Sequence, residues 1–115
     1  MAVTPLTVLE PALGGTVLTQ TTPTGTGLSN GVTFANDGQT FIEIINAGAG
    51  ACTPTFDATG TLGGVALTDP TGTVANDSVP KVFGPFDRAA FGATVTVGFS
   101  LATGVTCCAF RLPRA

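Results

Sequence analysis

The chain has 115 residues and a net charge of −3, with 43% hydrophobic residues and only 10% charged ones. That length is typical of one domain, and the low charge excludes the strongly charged type of disordered chain. Four basic residues form no stripe for nucleic acid, and no apolar run approaches the roughly 20 residues of a membrane span, so neither partner is predicted.

Residues 1–30 have the composition of an extended segment. Three prolines, Pro5, Pro11 and Pro23, each exclude a helix interior. We therefore predict an extended N-terminal arm over residues 1–30 and a β-sandwich domain over residues 31–115. The arm is expected to be mobile in the free protein and ordered on a partner, unless it adds strands to the domain's own sheet. Its apolar side chains are candidate interface anchors: Leu6, Val8, Leu9, Val17 and Leu18.

The stretch NDGQTFIEIINAG, residues 36–48, predicts a turn followed by a strand that is apolar on both faces. Successive side chains of a strand point to opposite faces, so Ile42 and Ile44 share one face and Phe41 and Ile45 the other. A two-sheet protein buries one of these faces in its core. The other needs a cover, from a loop of the same chain or from a neighbouring chain. Both faces therefore supply interface candidates.

Turn signals divide the rest of the chain into short strands. Pro54, within ACTPTFDATG, favours an edge strand or a bulge. DRAAFG predicts a single helical turn with Asp87 as its N-cap. ATVTVGFSL, residues 93–101, alternates apolar and polar residues as a half-buried strand does, and GVTCCAFRL, residues 104–112, is expected to pair with it as a hairpin. About seven or eight such strands predict an all-β fold, an antiparallel β-sandwich or jelly-roll-like single domain with an extended N-terminal arm.

No set of residues predicts catalysis or a cofactor. The chain lacks histidine, the commonest general base and metal ligand. Most of its carboxylates stand in or beside turns, where such side chains bond to backbone groups. Glu43 lies among apolar residues instead, and it is expected to pair with Arg88 or Arg111 at a sheet edge or an interface. We predict a protein that is not an enzyme and has no cofactor.

The three cysteines do not form a disulfide framework by number or spacing. Cys107 and Cys108 are adjacent, so in a strand they point to opposite faces and cannot easily share one metal ion or both join Cys52. Two interpretations stay open: thiols packed as small apolar side chains, or one cysteine that pairs with another subunit. No metal site is predicted.

Three stretches stand in order between residues 32 and 113: NDGQTFIEIINAG, VPKVFGPFDRAAFG and VTVGFSLATGVTCCAFRLP. Together they resemble a family of short proteins encoded near the major capsid protein in the structural gene clusters of tailed phages, the capsid decoration or cement proteins. The resemblance implies a β-sandwich or jelly-roll domain that binds the outside of an expanded icosahedral capsid and bridges neighbouring capsomers. The implied partners are the major capsid protein and further copies of the chain itself, as a homotrimer.

The expected location is accordingly the outer capsid surface of a virion, with synthesis in the host cytoplasm. No basic region followed by an apolar one marks a secretory signal. Two other functions stay open: a tail-tube or head–tail connector component, which would form rings or tubes, and an adhesin-like module on the virion surface. The lack of tryptophan and tyrosine disfavours sugar binding by such a module.

Overall fold

The computed structural model describes residues 3–111, and within them the chain consists mainly of short strands. The elements in chain order are β1 (Thr4–Pro5), β2 (Val8–Leu9), β3 (Gly27–Ala35), β4 (Thr40–Asn46), β5 (Pro54–Phe56), β6 (Thr61–Leu62), β7 (Val65–Ala66), β8 (Lys81–Phe83), α1 (Arg88–Phe91), β9 (Thr94–Phe99) and β10 (Val105–Arg111).

The strands form two four-stranded sheets and a small hairpin of β6 and β7. Sheet A has the order β1-β3-β9-β5, and sheet B has the order β2-β10-β4-β8. The four longest strands pair antiparallel, β3 with β9 and β4 with β10, whereas β1 and β2 add in parallel. The two sheets pack face to face through apolar side chains. The fold is therefore an all-β sandwich, as the sequence predicts.

The core lies between the sheets and is filled by alternate residues of the four longest strands. Phenylalanine rings supply much of its volume: the Phe86 ring centroid lies 5.7 Å from that of Phe34 and 5.3 Å from that of Phe56. Such tilted aromatic contacts stabilise a core beyond the burial of their area. The buried cluster consists of Val32, Phe34, Ile42, Ile44, Cys52, Phe56, Val74, Phe86, Val95, Val97, Phe99, Val105, Cys107 and Ala109.

Two local predictions are confirmed. The helical turn forms at Arg88–Phe91, and the carboxylate of Asp87 accepts a hydrogen bond from the amide of Ala89 at 3.1 Å, as an N-cap does. Pro54 opens β5, the last strand in the order of sheet A. Among the described residues, no helix is long and apolar enough to cross a membrane.

The predicted hairpin of residues 93–101 with residues 104–112 is wrong. β9 pairs with β3 and β5 in sheet A, whereas β10 pairs with β4 and β2 in sheet B. Residues 100–104 cross between the sheets, and the amide of Ala47 donates to the carbonyl of Gly104 at 2.8 Å there. The alternation of each strand fixes which side chains are buried. It does not say whether two consecutive strands pair or face each other across the core.

The N-terminal segment adds a strand to each sheet. β1 pairs with β3, and β2 pairs with β10. Between them the chain passes from sheet A to sheet B, and Leu6 and Val8 pack against the buried cluster. Residues 4–9, within the segment predicted as an arm, thus close one open side of the sandwich. β3 begins at Gly27, ahead of the predicted domain boundary at residue 31.

β3 and β9 approach each other closely at a bulge. The pairing register shifts between Gly27 and Val32. Gly31 is buried at this point, and a Cβ atom there would overlap the carbonyl oxygen of Val97. Because any larger residue would push the two strands apart, glycine at this position holds the central pair of sheet A together.

Candidate functional site

The strand β4 places its two apolar faces in different environments. Ile42 and Ile44 are fully buried in the core. Phe41 and Ile45 point to the opposite side of sheet B and are half-buried. The structure therefore assigns one face to the core, and Ile42 and Ile44 do not reach the surface of the chain. Only the face with Phe41 and Ile45 can meet a partner.

An apolar row crosses the outside of sheet B. Phe110 of β10 is directly opposite Phe41 of β4, and their rings stack with centroids 5.5 Å apart and planes 16° apart. Leu9 of β2 pairs with Phe110 on the other side. Directly opposite residues share a face of the sheet. The row Leu9, Phe110 and Phe41 is therefore continuous across three strands.

A second row runs through the middle of the same face. Cys108, Glu43 and Val82 lie opposite one another on β10, β4 and β8. The side chain of Gln20 covers this row, with its Nε2 donating to Glu43 Oε1 at 3.1 Å and lying 3.4 Å from the Cys108 sulfur. A segment of the same chain thus covers the middle of the face.

Gln20 is held in place by its neighbour in the chain. The amide of Thr21 donates to the carbonyl of Cys107 at 2.8 Å, and the amide of Cys107 donates back at 2.9 Å. Thr21 thus pairs with β10 along the same edge that β2 occupies further along the strand. The cover is a built part of the sheet, and it leaves the flanking residues open to a partner.

The outer face of sheet B is defined here as Leu9, Phe41, Ile45, Val82 and Phe110. Val82 is 50% exposed, and the other four are half-buried. The outside of sheet A differs, because threonine side chains occupy it along β3, β5 and β9: Thr33, Thr55, Thr94 and Thr96. One side of the sandwich is thus largely apolar and the other carries hydroxyls, so the two sides differ in surface chemistry.

A loop beside this face carries exposed apolar side chains. Leu13 is fully exposed and Val17 is 85% exposed. The loop has internal order, since the amide of Gly15 donates to the carbonyl of Ala12 at 2.9 Å and the amide of Ala12 donates to Thr16 Oγ1 at 3.0 Å. Leu18 is half-buried where the loop returns to the sheet. The loop presents Leu13 and Val17 to solvent.

An ion cluster anchors the base of this loop. The guanidinium of Arg111 lies 2.6 Å from a carboxylate oxygen of Glu10 and 3.3 Å from one of Asp37. The prediction that Glu43 pairs with Arg88 or Arg111 is therefore wrong, and Glu43 accepts its bond from Gln20 instead. Arg111 lies at the end of β10, opposite Thr40 and three residues beyond Cys108, the partner of Glu43. Sequence position alone did not reveal that separation.

All three cysteines are buried and free. Cys107 points into the core, and its burial, with a smaller effect of Cys108, raises the pKa of its thiol to about 12. Burial also raises the pKa of Cys108, and the nearby Glu43 carboxylate adds to the rise. Both thiols are thus protonated and poorly nucleophilic at neutral pH. Their positions on opposite faces of β10 are as predicted.

Within residues 3–111, no three His, Cys, Asp or Glu side chains come close enough to hold a metal ion. No protein-family model matches the chain, and no curated protein or solved structure matches it either. The surface chemistry and the sequence resemblance therefore carry the functional proposal.

Of the interface candidates named from sequence, Leu9, Phe41 and Ile45 meet on the outer face of sheet B, and Val17 lies on the neighbouring loop. Sequence reasoning missed Phe110, Val82 and Leu13. Phe110 lies within the strand predicted over residues 104–112, but its contact with Phe41 depends on which strands pair. Leu13 precedes Gly14 and Gly15, and that turn pattern is the signal that could have shown its exposure.

Proposed function

We propose that this protein is a structural virion protein that binds the outer surface of a tailed-phage capsid and cements neighbouring capsomers. The outer face of sheet B is the observation that carries the proposal. It joins a stacked aromatic pair, Phe41 and Phe110, to flanking aliphatic side chains on a rigid sheet. The resemblance of the three stretches between residues 32 and 113 supplies the partner.

Aromatic side chains on a rigid support are typical anchors of protein–protein interfaces. A standard interface buries roughly 1,600 Å² in total, about half of it on each partner. A patch three or four strands wide, with the adjoining loop at Leu13 and Val17, matches that scale. The threonine-covered outside of sheet A would then face solvent, where hydroxyls remain hydrated.

The proposed assembly is a homotrimer that sits on the major capsid protein, on the outer surface of the virion. Each copy contributes one apolar face, and the repetition of that contact over the shell stabilises the head. The Gln20–Glu43 bond fits this role, because it satisfies the one carboxylate of the face before a partner covers it.

The test is binding to capsids that lack decoration, purified from the phage whose structural genes include this one. Wild-type protein should cosediment with such capsids. Ile45→Lys places a charge within the outer face of sheet B, and it should lower the affinity at least about tenfold, which corresponds to about 1.4 kcal/mol.

Thr94→Lys is the matched control, since it places the same charge at an exposed position on sheet A. It should bind as wild type does. Failure of the wild type to bind any expanded capsid would overturn the proposed function. Equal binding by both lysine variants, with circular dichroism unchanged, would show that the outer face of sheet B is not the contact.

A further inference from the structure

The two sheets end in strands that differ from those in their interior. Sheet A ends at β1 and β5, and sheet B ends at β2 and β8. Edge strands carry unpaired backbone groups, which can pair with a strand of another chain. The interior strands have six to nine residues, whereas the edge strands have two or three.

Every one of these edge strands has a proline in it or close beside it, and none of the four interior strands contains one within its bounds. Pro5 lies within β1, and Pro54 opens β5. Pro80 directly precedes β8, and Pro11 follows β2 after one residue. Proline has no backbone N–H and cannot donate to a sheet, so it limits how far another strand can pair along such an edge.

Pro5 points its nitrogen to the open side of sheet A. The amide of Leu6 donates to the carbonyl of Thr33 in β3 at 2.7 Å, so that amide points inward. Successive backbone nitrogens of a strand point to opposite sides. The nitrogen of Pro5 therefore faces the free edge, where it offers no donor to an incoming strand.

The opposite edge of sheet A is closed in another way. Residues 71–74 pair beyond β5 through two bridges, Thr55 with Thr71 and Cys52 with Val74. The amides of Gly72 and Val74 donate to the carbonyls of Pro54 and Cys52, respectively. The backbone N–H and C=O of Thr73 therefore point away from β5. The Nζ of Lys81, from the edge strand of sheet B, donates to the carbonyl of Thr73 at 2.7 Å. One side chain from the edge of sheet B thus occupies an acceptor at the edge of sheet A and places its charge beside it.

We propose that these edges block strand addition, so that copies of this protein contact each other and their partners through side-chain faces and loops, and not by extending a sheet. Short strands, prolines and an edge lysine all act in that direction. The inference concerns the isolated chain and does not depend on the capsid as partner. It also implies that the N-terminal segment of one copy does not add as a strand to the sheets of another.

The test restores the missing donors at two edges separately. Pro5→Thr opens the β1 edge, and Pro80→Thr opens the β8 edge. Threonine is polar and favours strands. Each variant should self-associate at least about tenfold more tightly than wild type in sedimentation velocity over a range of concentrations. Backbone hydrogen exchange at the altered edge should slow as the association proceeds.

Val79→Thr is the matched control, because it changes an exposed side chain next to Pro80 and adds no backbone N–H donor. It should sediment as wild type does. Folded variants that keep the association state of wild type would overturn the proposal, and so would association that leaves exchange at the altered edge unchanged. The two edges are independent, so if one variant fails to fold, the other decides the result.

Discussion

Adjacent isoleucines in β4 offer a direct test of which face is core. Ile44 is fully buried, and Ile45 lies half-buried on the outer face of sheet B. Ile44→Ala removes buried methyl groups and leaves a cavity, which costs about 2–5 kcal/mol. Ile45→Ala removes the same atoms from a side chain that remains partly in water, so its cost should be about 1 kcal/mol or less.

The difference is large against a typical total stability of roughly 5–15 kcal/mol. At about 4 °C per kcal/mol for a domain of this size, Ile44→Ala should lower Tm by about 8–20 °C and Ile45→Ala by about 4 °C at most. Urea unfolding followed by circular dichroism measures both, and the midpoint should move without a change in slope.

Each isoleucine serves as the control for the other, since residue type, strand and distance from the strand ends are nearly the same. An equal loss for both variants would refute the assignment of faces. A larger loss for Ile45→Ala would mean that the side of sheet B with Phe41 and Phe110 is the true core, and the proposed contact with a capsid would lose its surface.

Two further predictions concern the bulge and a buried thiol. Gly31→Ala should lower the free energy of unfolding by at least about 2 kcal/mol, because its Cβ would overlap the Val97 carbonyl. Gly50→Ala is the control, and because the space around Gly50 is open, it should change that free energy by no more than about 0.5 kcal/mol. Equal urea midpoints for the two variants would contradict this. Burial raises the pKa of Cys107 from its ordinary 9.0 to about 12, so the stability that its protonated form contributes is complete below about pH 9 and is lost as the pH rises toward 12. Cys107→Val should flatten that decline in urea unfolding, and parallel pH curves for variant and wild type would argue against it.

The sequence was most informative where the physics is local. The strand over residues 40–46, the helical turn capped by Asp87 and the edge position of Pro54 each follow from side chains that act on their own or neighbouring backbone. The opposite directions of Cys107 and Cys108 follow in the same way, since a strand alternates its side chains whatever it pairs with.

The candidate site was only partly predictable. Phe41 and Ile45 were named as one face of their strand, but the sequence offered Ile42 and Ile44 equally, because all four are large and apolar. Glu43 was matched to an arginine on charge alone. Its partner is Gln20, which is distant in the chain and reaches Glu43 through the bridge of Thr21 to Cys107.

Sequence by itself thus determined the class of fold: period-2 alternation, threonine, glycine and proline specify short strands and turns at the level of single residues and their neighbours. Only the tertiary structure decided which strands share a sheet. That choice depends on how apolar faces meet across the core, so it placed β9 and β10 in different sheets, made one face of β4 internal and brought Phe110 against Phe41. A contact between residues 69 positions apart leaves no periodic trace in the chain, because it arises only when β4 and β10 pair.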